Sequence, residues 1–130
     1  MIATSIEQSK NLLKLGLKAT TADMHYFREN GPGYALSLVP YRIFHLGPGG
    51  GGGVNPNGAI PVWSLSALED LTKVCQRYER SLRVDKRWNV FAVCGDDVFR
   101  SFDINPQGYK TPFDAVYALV IWLLENHKEL

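Results

Sequence analysis

The sequence predicts an α+β domain: a small antiparallel sheet of three to four strands, helices mainly on one face, in the order α-β-α-β-β-α. Three observations carry the prediction. Segments at 5–17, from about 64 to 80, and at 112–126 combine apolar residues at helical spacing with capping side chains. Runs at 34–46, 88–93 and 98–104 read as extended chain. Between the last two stands Cys94-Gly95-Asp96-Asp97, a tight-hairpin sequence. Size and charge agree with one soluble domain spanning 1–130. The chain has 130 residues, 45% of them hydrophobic and 21% charged, enough for a core without metal or disulfide staples. Fourteen Lys+Arg against thirteen Asp+Glu leave a formal charge of +1, which argues against a strongly basic nucleic-acid coat.

Taken in order, residues 5–17 form a helix entered by Thr4 with Glu7 or by Ser5 with Gln8, either pair being a capping box. Gly16 supplies the left-handed residue that ends it. Thr20 and Asp23 sit at capping spacing before Met24, Tyr26 and Phe27, which suggests a second helical turn. After Gly31-Pro32-Gly33, residues 34–46 read as a strand bent or interrupted at Pro40, since proline cannot donate to a ladder. Residues 47–58 hold five consecutive glycines and Asn55-Pro56-Asn57-Gly58, a flexible loop within the domain. The next helix starts with Ser64 or Ser66 as cap and runs to about Tyr78 or Arg80, with Leu65, Leu68, Leu71, Val74 and Cys75 inward.

The 88–93 and 98–104 strands follow, closed by Asn105-Pro106-Gln107-Gly108. Thr111 caps the last helix, with Pro112 at its first position. Phe113, Val116, Tyr117, Val120, Ile121 and Leu124 make one full apolar face. Leu119, Trp122 and Leu123 extend the apolar surface beyond it, and a helix apolar nearly all round must be covered nearly all round.

Chemistry-bearing patterns are sparse. The glycine run lacks the Lys-Ser/Thr of a phosphate loop and does not open a helix, so it reads as a loop. His25, His45 and His127 show no metal-ligand spacing, and Cys75 and Cys94 form no CxxC pair. No cofactor and no metal are expected. Cys94 precedes two carboxylates, which disfavour a thiolate. An active site assembled only in three dimensions would draw on Cys94, Asp96 and His45. Lys73, Arg77, Arg80, Arg83, Lys86 and Arg87 form the densest basic run, with Tyr78 and Trp88 beside it. Lys73, Arg77 and Arg80 share a face if the segment is helical, a patch able to meet phosphates. The plainer reading is a solvated helix end. Neither an apolar leader nor a membrane-length apolar run is present, and the two cysteines suit a reducing compartment, so a cytoplasmic location is expected.

Several blocks carry a resemblance. Ser5-Ile6-Glu7-Gln8-Ser9-Lys10, Leu12-Leu13, Leu15-Gly16-Leu17, Thr21-Ala22-Asp23-Met24 and Tyr26 resemble the opening of a group of small uncharacterised proteins. These are encoded in gut Bacteroidales genomes and their phages or mobile elements. Pro61, Trp63-Ser64-Leu65-Ser66-Ala67-Leu68, Asp114-Ala115 and Trp122-Leu123-Leu124-Glu125-Asn126 are similar to later blocks of that group, while residues 41–60 match none. The resemblance implies a fold and no activity.

The expected function is therefore a non-enzymatic binding module. It self-associates or docks a protein partner through the terminal helix, at Trp122, Leu119 and Leu123. The alternative is a nucleic-acid-binding accessory protein using the basic run 73–87.

Overall fold

The computed structural model describes residues 3–28, 33–38, 59–126 and 129–130. The glycine-rich segment 47–58, Pro40 with the second half of the expected 34–46 strand, His45 and His127 lie outside the described residues. The α+β class expected from the sequence is present, with the strands divided between two three-stranded antiparallel sheets instead of gathered into one. The chain splits into two compact units, Met1–Ala67 and Leu68–Leu130.

In the first unit, helix α1 (Ile6–Lys14) is entered through Ser5. Its hydroxyl accepts from the Gln8 amide at 3.1 Å, and the Gln8 side chain accepts from the Ser5 amide at 2.9 Å. Gly16, at φ +101°, ends the helix. The second helical turn expected at 20–27 is instead a 3₁₀ turn (Ala19–Thr21) followed by strand β1 (Met24–Arg28). The cap at Asp23 is used elsewhere. Its carboxylate accepts from the Ser64 amide at 2.9 Å and from the Ser64 hydroxyl. Strand β1 is central, between β2 (Tyr34–Ser37) and β3 (Ile60–Val62), with Tyr26 opposite both Leu36 and Ile60.

The core of this unit contains Leu12, Leu17, Met24, Val62 and Trp63. A buried polar network ties its parts together. Thr4 Oγ1 accepts from the Trp63 amide at 3.0 Å and lies 2.8 Å from Ser9 Oγ, while the Trp63 indole donates to Thr21 Oγ1 at 2.8 Å. Thr4 and Ser9 are wholly buried, so each bond avoids the cost of an unpaired buried polar group.

Helix α2 (Leu65–Leu71) begins at Ser64, whose hydroxyl accepts from the Ala67 amide at 3.2 Å. It ends far short of Tyr78. A 3₁₀ turn (Thr72–Val74) follows, with the Thr72 hydroxyl on the Glu69 carbonyl at 2.6 Å. Residues expected to continue the helix form strand β4 (Arg77–Leu82). Cross-strand pairing with β5 (Trp88–Cys94) outweighs the helical pattern there, an override by tertiary context. Strand β6 (Asp97–Arg100) completes the order β4-β5-β6 through the Gly95-Asp96 hairpin expected from the sequence.

The expected 98–104 strand stops at Arg100, and the chain forms a single helical turn, α3 (Ser101–Ile104). The cause is Ser101: its hydroxyl accepts from the Val90 amide at 2.8 Å, satisfying a strand donor so that the backbone can leave the sheet. Tyr109 takes up the vacated place, exchanging two backbone bonds with Trp88 at 2.7 and 2.9 Å. Helix α4 (Pro112–Glu125) then packs on β5, with Thr111 capping the Asp114 amide at 3.2 Å. Val90, Ala92, Cys94 and Phe99 make the buried side of this sheet.

Candidate functional site

The sequence of α4 divides into two faces. Phe113, Ala115, Val116, Leu119, Val120, Leu123 and Leu124 are buried. Asp114, Tyr117, Ala118, Ile121, Trp122 and Glu125 recur at the same helical spacing on the other face and line an open groove of about 610 Å³. The opposite wall comes from Ile104, Asn105, Gly108, Tyr109, Lys110 and Arg87. Its volume falls in the range of ligand-binding clefts. Aromatic and aliphatic side chains floor it, and charges of both signs stand at its rim.

The far wall is built by the Asn105–Gly108 turn. Asn105 Nδ2 donates to the Gly108 carbonyl at 3.0 Å, and Asn105 Oδ1 accepts from the Gln107 amide at 3.2 Å. Gly108 is at φ +77°, and a Cβ there would stand 2.8 Å from Arg87 Cβ. Only glycine lets the turn close against Arg87 and deliver Tyr109 to its place beside Trp88. Burial, with the Asp114 carboxylate nearby, pushes the Tyr109 hydroxyl up from its ordinary range. Trp122 is held from behind by Phe99, ring centroids 5.4 Å apart at 45°.

Of the three side chains expected to meet a partner, Leu119 and Leu123 are fully buried core residues, and Trp122 is half-buried in the groove. Of the apolar face expected from the sequence, Phe113, Val116, Val120 and Leu124 are buried, while Tyr117 and Ile121 line the groove and Leu119 and Leu123 take the core positions instead. Tyr109, Ile104 and Lys110 were beyond reach of helix periodicity, because they come from the turn before the helix.

The basic run does not form one surface. Lys73 lies in the 3₁₀ turn, and strand alternation sends Arg77 and Arg80 to opposite faces of the sheet, so the shared helical face is absent. Lys73 pairs with Asp70 at 2.5 Å, Arg77 with Glu79 at 3.0 Å, Arg80 with Glu69 at 3.5 Å and Arg83 with Asp85 at 3.0 Å. Lys86 occupies a hairpin turn at φ +65°, and Arg87 lines the groove. Tyr78, beside the basic run, donates to Glu69 at 2.6 Å. Burial and that carboxylate hold its hydroxyl well above the ordinary range. The sheet face away from α4 carries Phe91, with the guanidinium carbons of Arg77 and Arg100 at 5.3 and 5.8 Å from its ring centre.

Cys94 is buried in β5, with its thiol 3.8 Å from the Val74 carbonyl, while Asp96 is exposed on the hairpin. Among the described residues no three His, Cys, Asp or Glu side chains gather at a metal-binding spacing, and no helix is long and apolar enough to cross a membrane. No protein-family model matches the chain, and no match is found among curated proteins or solved structures.

Proposed function

We propose that this chain is a non-enzymatic binding module that docks an apolar segment of a protein partner in the α4 groove. The observation that carries the reading is the second face of α4. Tyr117, Ala118, Ile121 and Trp122 are apolar or aromatic, at helical spacing, and line an open groove of about 610 Å³. Tyrosine, tryptophan and arginine in a partly desolvated recess are the residue types that dominate binding energy at protein interfaces. The mixed charges at the rim fit a partner that must be registered as well as held.

The test is a photo-crosslinking amino acid placed at Tyr117, with the exposed Glu79 position as control, in the native cell. Crosslinks specific to position 117 that map to one segment of one partner, and weaker binding of that segment to Trp122→Ala, are the expected result. Crosslinks joining two copies of this chain would replace the partner with self-association. Equal yields at both positions would refute a groove-directed function.

A second reading has one observation in its favour. Phe91 between Arg77 and Arg100 on an open sheet face is an arrangement able to stack a nucleobase near phosphates. Glu79 in the same patch opposes it.

A further inference from the structure

We infer that the segment docked in the groove is acidic as well as apolar, and that Arg87 holds its carboxylate. This rests on the docking reading above and goes one step further, to the chemistry of the partner. The arginines of the β4–β5 hairpin are otherwise accounted for: Arg77, Arg80 and Arg83 each face a carboxylate of this chain. Arg87 has no ion-pair partner among the described residues, although it is half-buried and lines an aromatic recess. A guanidinium without a counter-ion of its own chain is free to take one from a partner, and its planar fork matches a carboxylate.

Its backbone is also held in place. The Arg87 amide donates to Asp85 Oδ1 at 3.1 Å, the Arg87 carbonyl accepts from the Arg83 amide at 2.7 Å, and its Cβ lies against Gly108. These bonds fix the backbone from which the Arg87 side chain enters the lining of the groove. The other charged groups of the groove define where a partner acid can go. Lys110 adds a second cation on the same wall. Asp114 and Glu125, on α4, repel a carboxylate that strays across to the helix side. The aliphatic surface of Ile104, Ala118 and Ile121 suits a peptide's apolar side chains flanking the acid.

A random-peptide display library selected on the full chain tests this, run in parallel on wild type, Arg87→Glu, Arg87→Gln and Tyr117→Ala, each checked for folding by circular dichroism. Wild type is expected to enrich apolar peptides sharing one Asp or Glu. Arg87→Glu is expected to exchange that acid for Lys or Arg. Changing the acid of an enriched peptide to its amide should weaken wild-type binding about tenfold, the scale of one charge-assisted pair, and leave Arg87→Gln binding unchanged. Should Arg87→Glu fail to fold, the Arg87→Gln comparison decides alone. Enrichment without an acidic position, or of the same acidic peptides on the Arg87 variants, overturns the acidic partner. If Tyr117→Ala still loses those peptides, the groove itself stands. Peptides retained by Tyr117→Ala, or none enriched on wild type, overturn the docking reading as well.

Discussion

Gly108→Ala is the substitution that best separates backbone requirement from packing, because a second glycine provides its control. At Gly108 the backbone has φ +77°, and an added Cβ would lie 2.8 Å from Arg87 Cβ and 3.4 Å from the Trp88 carbonyl oxygen. Gly16 has φ +101° with nothing within 4 Å of such a Cβ. Each alanine bears a left-handed penalty of about 1–2 kcal/mol. Each also loses unfolded-state entropy relative to glycine, worth about 0.4–1 kcal/mol in the opposite direction. Gly16→Ala should therefore destabilise by roughly 1 kcal/mol. At Gly108 the clash falls on the root of a side chain and not on its flexible end. Relief requires moving the turn away from Arg87, an overpacking cost of about 1–3 kcal/mol. The net expectation is roughly 2–3 kcal/mol. Urea unfolding followed by circular dichroism measures both variants. Hydrogen exchange at the Trp88 and Tyr109 amides, which close the turn through bonds of 2.7 and 2.9 Å, locates the damage. If Gly108→Ala is no more destabilising than Gly16→Ala, the turn does not depend on that close approach.

Other outcomes follow from single contacts. Thr4→Val keeps the volume but strands the Trp63 amide and the Ser9 hydroxyl in a wholly buried site. Its cost should be about 2–4 kcal/mol in chemical denaturation, and a loss under 1 kcal/mol would show that water replaces the hydroxyl. Ser101→Ala removes the acceptor for the Val90 amide, with an expected loss of about 1–3 kcal/mol and faster exchange at that amide; unchanged exchange would refute the role given to Ser101. Tyr78 and Tyr109 both have folded-state values raised above the ordinary tyrosine range. The folded state then binds more protons above pH of about 10, so the stability they contribute is complete below that pH and falls as pH rises further. Tyr78→Phe should flatten this alkaline fall, read by denaturation at stepped pH. An unchanged profile would remove Tyr78 from the explanation. For the second reading, a labelled single-stranded oligonucleotide should lose affinity for Phe91→Ala and for Arg77→Gln with Arg100→Gln, by fluorescence anisotropy at low salt. Binding that ignores all three residues would end it.

Local signals in this sequence translate well where the partner groups lie within a few residues. The Ser5–Gln8 capping box, Gly16, the Gly95-Asp96 hairpin and Thr111 before Pro112 all act as their spacing implies. The failures occur where a distant group competes for a local one. Asp23 has the position of a helix cap, yet its carboxylate serves Ser64, forty-one residues away in sequence, and the chain after it extends. Arg77 to Leu82 continues a helical pattern on paper, but the six residue pairs it makes with Trp88–Cys94 are worth more than the propensity of a solvent-facing helix end. Ser101 leaves no trace in periodicity, because its effect is to satisfy the Val90 amide across the sheet.

The same distinction explains why half of the groove was readable. Residues 113–124 announce a helix with too many apolar positions for one buried face, and that surplus is real. Composition alone cannot assign its phase. The faces through Leu119 and Leu123 and through Tyr117 and Ile121 are both apolar, and each satisfies the helical period. What decides between them is the sheet against which the helix packs, and the size and polarity of the side chains agree with its choice. Leucine and valine, with no polar atom to satisfy, fill the core. Tyrosine and tryptophan, each with one polar group that must find water or a partner, turn to the groove. An apolar helix face ending in hydroxyl and indole groups is thus better read as a part-exposed surface than as core. In this chain the aromatic identities of Tyr117 and Trp122 are stronger evidence for the groove than the hydrophobicity of Leu119 and Leu123 is for an interface.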